Sequence, residues 1–230
     1  MPIEWAALEC HDVFKIFRSG PVETVALRGL DLRIERGELV AILGPSGSGK
    51  STFLHLAAGL DGASAGEIRA FGRSLGLLTE PELADYRARE VALVFQSDNL
   101  WSSLTAAENV VVSLRLAGSV AGQAEAREAL GAFGLGARGP YRPRALSGGE
   151  QQRVAIAAAA ARKAPLVLAD EPTGELDEAN ERLVVAALLR LRDDFGSTVV
   201  VVTHSARLAE AADRVLELRD GRLHVEPNAA

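Results

Sequence analysis

Five short runs of almost wholly apolar residues recur along the chain. They are Leu39–Leu43, Val91–Phe95, Leu166–Ala169, Thr198–Val202 and Val215–Leu218. Uninterrupted apolar runs of this length are typical of strands buried on both faces, as in a parallel sheet that helices cover on each side. The pattern therefore predicts an α/β fold built around a mainly parallel sheet.

Two other patterns of apolar and polar residues occur along the chain. Leu30, Leu32 and Ile34 alternate with charged residues, which indicates a half-exposed strand of a small antiparallel sheet near the N-terminus. Glu178–Arg192 has a helical period instead. The predicted apolar face of this helix consists of Leu183, Val184, Ala187, Leu188 and Leu191.

The strand pattern is missing between the second and third apolar runs. Ala106–Leu116 and Ala124–Phe133 are predicted helices there, and a third helix is predicted from Ser147 to Arg162. We therefore predict one domain over residues 1–230, in which a helical subdomain (96–162) interrupts an α/β core (1–95 and 163–230).

Composition narrows the class of protein. Of 230 residues, 48% are hydrophobic and 24% are charged, which is the mixture of a folded globular chain. The net charge of −6 argues against a general affinity for nucleic acid. No apolar run approaches the roughly 20 residues of a membrane-spanning helix, and the N-terminus lacks the features of a signal peptide. The single cysteine, Cys10, fits a reducing cytoplasm.

A phosphate-binding loop is predicted directly after the first apolar run. Its residues are Gly44, Pro45, Ser46, Gly47, Ser48, Gly49, Lys50, Ser51 and Thr52, which match the pattern G-x-x-x-x-G-K-[ST]. Backbone N–H groups of such a loop, and the helix that follows it, point at phosphate oxygens. Lys50 can reach the β- and γ-phosphates, and the Ser51 hydroxyl can hold Mg²⁺.

Two acidic residues, Asp170 and Glu171, follow the third apolar run. Ligands of parallel sheets bind at this carboxyl end of the strands. Asp170 is therefore predicted to position Mg²⁺, and Glu171 to act as the general base for an attacking water. The alternative is that the pair caps a helix.

The segment Leu146–Arg153 precedes an alanine-rich helix and reads LSGGEQQR. Ser147, the two glycines and the helix start form a second predicted anion site. Ser147 can equally serve as an N-cap, with Glu150 completing a capping box. The two interpretations are compatible.

Together these segments resemble the nucleotide-binding subunits of ABC transporters, over roughly Leu8 to Leu223. The resemblance implies an ATPase with ATP and Mg²⁺ as cofactors, held at the cytoplasmic face of a membrane by a permease subunit. It also implies a dimer with a second ATPase subunit, a homodimer rather than a heterodimer. In such a dimer, the family's signature segment, which corresponds to Leu146–Arg153 here, closes through Ser147, Gly148 and Gly149 over the ATP in the phosphate loop of the other subunit.

The same resemblance assigns roles to further residues. Gln96 resembles the glutamine that senses Mg²⁺ and the attacking water, and His204 resembles the histidine that contacts the γ-phosphate. Gly174–Asp177 resembles the loop that crosses the dimer interface, which makes Asp177 a nucleotide-site residue. Phe17 occupies the place of the aromatic that stacks on adenine, although an aromatic near an N-terminus can also be part of the core.

Two departures from the family pattern leave the turnover rate and the interface electrostatics open. The segment Ala155–Ala159 lacks the arginine that the family often has after its signature. Glu175 stands where relatives often carry asparagine or a small residue.

Finer similarity indicates a branch of the family. The matching segments are Leu78–Glu80, Tyr86–Arg87, Val94–Gln96, Asn99–Leu100, Leu104–Thr105, Glu108–Val110 and Leu168–Gly174. They resemble the ATPases of lipoprotein release, macrolide efflux and cell division, which serve permeases with large extracytoplasmic domains. An amino-acid importer ATPase is the alternative. A soluble ATPase acting on DNA or ribosomes is a more distant alternative, because such proteins usually carry a long coiled coil or two ATPase domains, and neither fits in 230 residues. A nucleotide switch without turnover is also more distant, because Glu171 and His204 are both hydrolytic groups.

One exposed segment is a candidate for permease docking. Trp101 lies at the centre of Ser97–Thr105, among polar residues and directly after Gln96. A large apolar ring in this setting predicts a covering partner. The alternative is that Trp101 folds back into the helical subdomain.

Overall fold

The computed structural model describes residues 5–120 and 122–224. The expectation about a missing signal peptide falls mainly on residues 1–4 and lies outside this range. Within the described residues, no helix combines the length and the apolar character that a membrane crossing needs.

The strands and helices of the described chain are numbered in chain order. The strands are β1 (Leu8–Ser19), β2 (Val22–Ile34), β3 (Leu39–Leu43), β4 (Ala65–Ala70), β5 (Arg73–Ser74), β6 (Val91–Val94), β7 (Leu166–Asp170), β8 (Thr198–Val202), β9 (Arg214–Arg219) and β10 (Arg222–His224). The helices are α1 (Lys50–Ala57), α2 (Glu80–Arg89), α3 (Ala106–Leu116), α4 (Gln123–Ala132), α5 (Gly148–Ala161), α6 (Glu178–Phe195) and α7 (Ala206–Ala211).

The larger sheet has the strand order β10-β9-β3-β8-β7-β6. Its strands run parallel from β9 to β6, and only β10 is antiparallel to its neighbour. Val199 and Val201 of β8 pack into one apolar cluster and Val200 and Val202 into another, so this strand is buried on both faces, as predicted. β9 is an exception, because Val215 is 45% exposed near the less covered edge of the sheet.

The smaller sheet has the order β2-β1-β4-β5 and is antiparallel. Leu30, Leu32 and Ile34 of β2 are buried, while Asp31 and Arg33 between them are exposed. The predicted alternation is confirmed. This sheet shares its apolar cluster with α1 and with one face of the larger sheet.

Three helices lie between β6 and β7 in the chain and pack on the other face of the larger sheet. Helix α3 has the predicted bounds, whereas α4 begins and ends one residue earlier than predicted. The alanines of α5, including Ala157 and Ala160, are buried, and such small side chains let neighbouring helices approach closely.

The predicted burial is wrong for one residue of α6. Leu183 is 50% exposed, whereas Val184, Ala187, Leu188 and Leu191 are buried. The four buried residues form a single stripe with spacings of three and four. Because successive residues are about 100° apart around a helix, Leu183 lies outside that stripe.

Candidate functional site

The phosphate loop connects β3 to α1 and lines a cavity of about 820 Å³. Lys50 is 8% exposed, and its Nζ donates to the carbonyl oxygens of Gly44 (2.6 Å) and Pro45 (3.0 Å). The ammonium group therefore lies inside the curl of the loop. The loop residues that face the cavity are Ser46, Gly47, Gly49, Lys50, Ser51 and Thr52.

The other three predicted loop residues, Gly44, Pro45 and Ser48, lie behind this lining. Ser48 is 3% exposed, and its hydroxyl has no hydrogen-bond partner among the described residues. Any contribution of Ser48 to phosphate binding therefore comes through its backbone.

The predicted catalytic pair meets at the carboxyl ends of β7 and β8, which are adjacent in the sheet. Glu171 has a φ of 46°, and its backbone N–H donates to the Val202 carbonyl (2.9 Å). One carboxylate oxygen of Glu171 lies 2.9 Å from Nδ1 of His204, and the other accepts the His204 backbone N–H at 3.3 Å. The structure thus brings together two residues that are 33 positions apart.

Gln96 follows β6 and lines the same cavity, together with Asp170, Glu171 and His204. Its side-chain Nε2 donates to Oε1 of Glu175 at 3.2 Å. The loop Gly174–Asp177 is therefore in direct contact with a predicted metal-sensing residue. This contact involves the residue that departs from the family pattern.

Phe17 lies at the margin of the site. It is 45% exposed on β1, opposite Thr24 of β2, with Nζ of Lys15 5.0 Å from its ring centre. The cavity is lined by Thr24, Val25 and Ala26 rather than by Phe17. The role of Phe17 in adenine stacking stays a prediction.

Sequence reasoning missed several residues that shape the cavity. Thr24, Val25 and Ala26 carry no motif, and only their pairing with β1 could have indicated them. Gln152 is 3% exposed, and its Nε2 donates to the carbonyls of Phe95 (2.8 Å) and Gln96 (2.6 Å). Its position in the signature segment could have indicated a functional role for Gln152. The neighbouring sequence, however, does not show that its side chain binds the loop after β6.

The signature residues lie outside the cavity lining of their own chain. Ser147 caps α5: its Oγ accepts the Glu150 N–H at 3.2 Å, and Glu150 accepts the Ser147 N–H at 2.9 Å. That backbone hydrogen bond, together with Arg138, holds the pKa of Glu150 below its usual range. The capping interpretation is confirmed.

The signature also packs against the start of α6. Asp177 caps α6 by accepting the Asn180 N–H at 2.8 Å. A methyl group at Gly149 would lie 2.6 Å from the side-chain oxygen of Asn180, so only glycine fits this approach. Ser147, Gly148 and Asp177 thus lie exposed in one surface region, with Gly149 buried beneath it, and this region is separate from the phosphate loop.

Comparisons with known proteins agree on the family. The family model for ABC transporters matches residues 27–174. The lipoprotein-releasing system ATP-binding protein LolD of Chromohalobacter salexigens is 43% identical over 218 residues, covering 94% of this chain and 92% of the relative. The macrolide export ATP-binding/permease protein MacB of Azoarcus sp. is 41% identical over 222 residues, covering 96% of this chain but 34% of that longer protein.

Solved structures give the same result. The ATP-binding cassette MJ0796, in a dimeric post-hydrolysis state bound to ADP and Pi, superimposes with a TM-score of 0.88 at 38% identity, covering 96% of this chain and 97% of that one. A second dimeric structure of MJ0796 gives the same values. The predicted fold and the predicted branch are confirmed. The chain belongs to the ABC transporter family and is an ATP-hydrolysing cassette of the branch that includes LolD and MacB.

Proposed function

We propose that two copies of this chain enclose two ATP molecules with Mg²⁺ and drive a separate membrane permease from the cytoplasmic face. The observation that carries the proposal is the contact between Glu171 and His204 beside the phosphate loop, because it joins a hydrolytic pair to a phosphate site. LolD is named as part of a lipoprotein-releasing system, and MacB as an export protein with its own permease.

Each group has a defined chemical role in this proposal. Lys50 neutralises charge on the β- and γ-phosphates. Glu171 accepts a proton from the attacking water, since each carboxylate oxygen has acceptor capacity beyond its bond to His204. The His204 imidazole fixes the direction of that carboxylate and lies 72% exposed at the cavity, where a γ-phosphate can reach it.

The residues of the cavity also fit a magnesium ion. Ser51, Asp170 and Gln96 line the cavity, and their hydroxyl, carboxylate and amide groups offer the oxygen ligands that Mg²⁺ prefers. When bound, Mg²⁺ would neutralise charge that develops on the transferring phosphate.

The signature surface is assigned to the second subunit's ATP. Gly148 and Gly149 are the first residues of α5, where backbone N–H groups have no partner within the helix. These donors suit phosphate, yet they lie outside the cavity of their own chain. A closing second copy supplies the missing half of each site, and the dimeric state of MJ0796 supports this arrangement.

The proposed permease surface is the groove around Trp101. The indole is 63% exposed, so the alternative that it folds into the helical core is wrong. Leu93, Leu100, Val112, Leu116 and Ala158 line a cavity of about 280 Å³ beside it. Ala158 lies in the alanine run that lacks the family's arginine, so a methyl group lines the groove there, whereas Arg87 and Arg162 line it elsewhere.

The test of this function is Glu171→Gln, with Lys50→Ala as a second variant. Glu171→Gln keeps the shape of the side chain but removes the base. We expect phosphate release to fall by at least about 100-fold, in the range of a lost general base, while ATP binding and an ATP-dependent dimer persist. Lys50→Ala is expected to weaken ATP binding itself. Wild-type hydrolysis by Glu171→Gln would place the base elsewhere.

A further inference from the structure

The outer side of the phosphate loop rests on backbone atoms of segments that carry no nucleotide motif. A methyl group at Gly44 would lie 2.1 Å from the carbonyl oxygen of Leu218 in β9. A methyl group at Gly49 would lie 2.4 Å from the carbonyl oxygen of Ala26 in β2. The loop is therefore in direct main-chain contact with both strands.

One residue connects these three segments. Gly221 lies in the turn between β9 and β10, and its N–H donates to the carbonyl oxygen of Ser48 at 3.1 Å. Its own carbonyl oxygen accepts the N–H of Arg28 in β2 at 2.8 Å. Gly221 thus joins the phosphate loop, β2 and the β9–β10 hairpin.

No L side chain fits at this position. Gly221 has a φ of 74°, and an added Cβ would lie 2.6 Å from the Ala26 carbonyl oxygen and 3.0 Å from Cα of Leu27. Both obstacles are backbone atoms, which cannot turn aside as a side chain can. A substitution must therefore move the hairpin away from β2 and from Ser48.

The side chain of Ser48 offers no alternative attachment. It is buried, and its hydroxyl has no partner among the described residues. The back of the loop is consequently positioned by main-chain contacts, and the Gly221 hydrogen bond is one of them.

We propose that Gly221 is a positioning residue for the phosphate loop, which the β9–β10 hairpin holds in the shape that binds phosphate. Among the described residues that line the cavity, none belongs to this hairpin, so the effect acts through the loop. The inference rests on the proposed role of the loop as the ATP site.

The first experiment compares Gly221→Ala with Gly196→Ala. Gly196 ends α6 with a φ of 68°, and no described atom lies within 4 Å of an added Cβ, so this control carries the same backbone strain without the collision. We expect the Kd of Gly221→Ala for ATP-Mg²⁺ to rise about tenfold or more, as for other overpacked contacts, while Gly196→Ala binds like the wild type. Equal losses in both variants, or no loss in Gly221→Ala, would overturn the proposal.

The second experiment needs no substitution. Hydrogen exchange of the wild-type chain, in rising denaturant, measures the opening free energy of peptides from the phosphate loop and from the hairpin. We expect both peptides to open together, with the same dependence on denaturant. A hairpin that opens while the loop stays protected would contradict the proposal. A wild-type chain that binds no ATP would instead refute the proposed function and leave the exchange result interpretable.

Discussion

At the scale of single residues, Glu175 determines how the side chain of Gln96 is oriented. The amide nitrogen of Gln96 donates to Glu175, which leaves the amide oxygen available to the cavity. Glu175→Ala removes the acceptor, so we expect the Mg²⁺ concentration for half-maximal ATPase to rise up to about fivefold, the worth of one modest hydrogen bond. A magnesium titration of hydrolysis measures this shift.

The matched control is Glu175→Gln, which keeps an acceptor oxygen but removes the charge. Its magnesium dependence is expected to stay near that of the wild type. If Glu175→Gln is impaired as much as Glu175→Ala, then charge at the interface loop, rather than the hydrogen bond to Gln96, is responsible.

Residues with their own motif could be assigned from the sequence, and residues that act through tertiary contacts could not. Lys50 and Glu171 were identified because loop and strand end each impose a local pattern. Gln152 and Gly221 were not assigned, because their partners in other segments lie 53 and more positions away in the chain. The exposure of Phe17 depends on the irregular pairing of β1 with β2, which no residue pattern specifies.

At the scale of elements, three helices among the described residues begin with a threonine or serine cap and a glutamate three residues later. Glu82, Glu108 and Glu150 each accept the N–H of the residue that caps their helix. Hydrogen bonds from Thr79, Thr105 and Ser147 hold the pKa of these carboxyls below their usual range. The folded chain therefore binds fewer protons than the unfolded chain at mildly acidic pH.

The sign of the pH dependence follows from this difference. The caps stabilise fully above the unfolded pKa of about 4.5 for glutamate, and their contribution is lost as the pH falls through the lower folded values. Replacing the three glutamates with glutamine keeps the acceptors, so the triple variant is expected to lose less stability on acidification. Urea unfolding between about pH 6 and pH 3 measures the free energy of unfolding of both proteins. If both lose stability equally as the pH falls, the glutamate caps are not the cause of the pH dependence.

The segment that carries Trp101 is fixed to α3 by a buried amide. The side chain of Asn109 accepts the Trp101 N–H at 2.8 Å and donates to the Thr105 carbonyl at 2.9 Å. The exposed indole is therefore presented on a rigid support. We expect Trp101→Ala to fold and bind ATP normally but to associate about 30-fold less with membranes of the source cell, a typical loss for a tryptophan at an interface centre.

Leu77→Ala is the control, because Leu77 is 83% exposed and lies outside the Trp101 groove. Sedimentation with membranes compares the two variants. Equal membrane binding by Trp101→Ala and the wild type would mean that the permease uses another surface.

Elements buried on both faces were the most predictable ones. β8 has the predicted bounds, and β3 does too, since a continuous valine- and leucine-rich run leaves little choice. Leu183 shows the limit: its neighbours suggest an apolar face, yet only packing against the sheet decides which side of α6 is covered.

At the scale of the whole molecule, Cys10 reports on global unfolding. It is 1% exposed between the two sheets, and burial raises the pKa of its thiol to about 12, with the charge of Asp31 adding to the effect. Since the thiolate is the reactive form, we expect an alkylating reagent to modify Cys10 at the rate at which the core opens. Labelling followed by mass spectrometry measures that rate, and rapid labelling of the native chain would contradict this burial.

Two hydrogen bonds from the side chain of Gln152 connect α5 directly to the loop after β6. One end of this helix carries Ser147, which faces the second copy's ATP in the proposed dimer, and one turn further on Gln152 holds the carbonyl of Gln96. A shift of Ser147 is therefore passed to Gln96 without an intervening loop. In the proposed dimer, this helix would connect the ATP that Ser147 faces with the ATP beside Gln96.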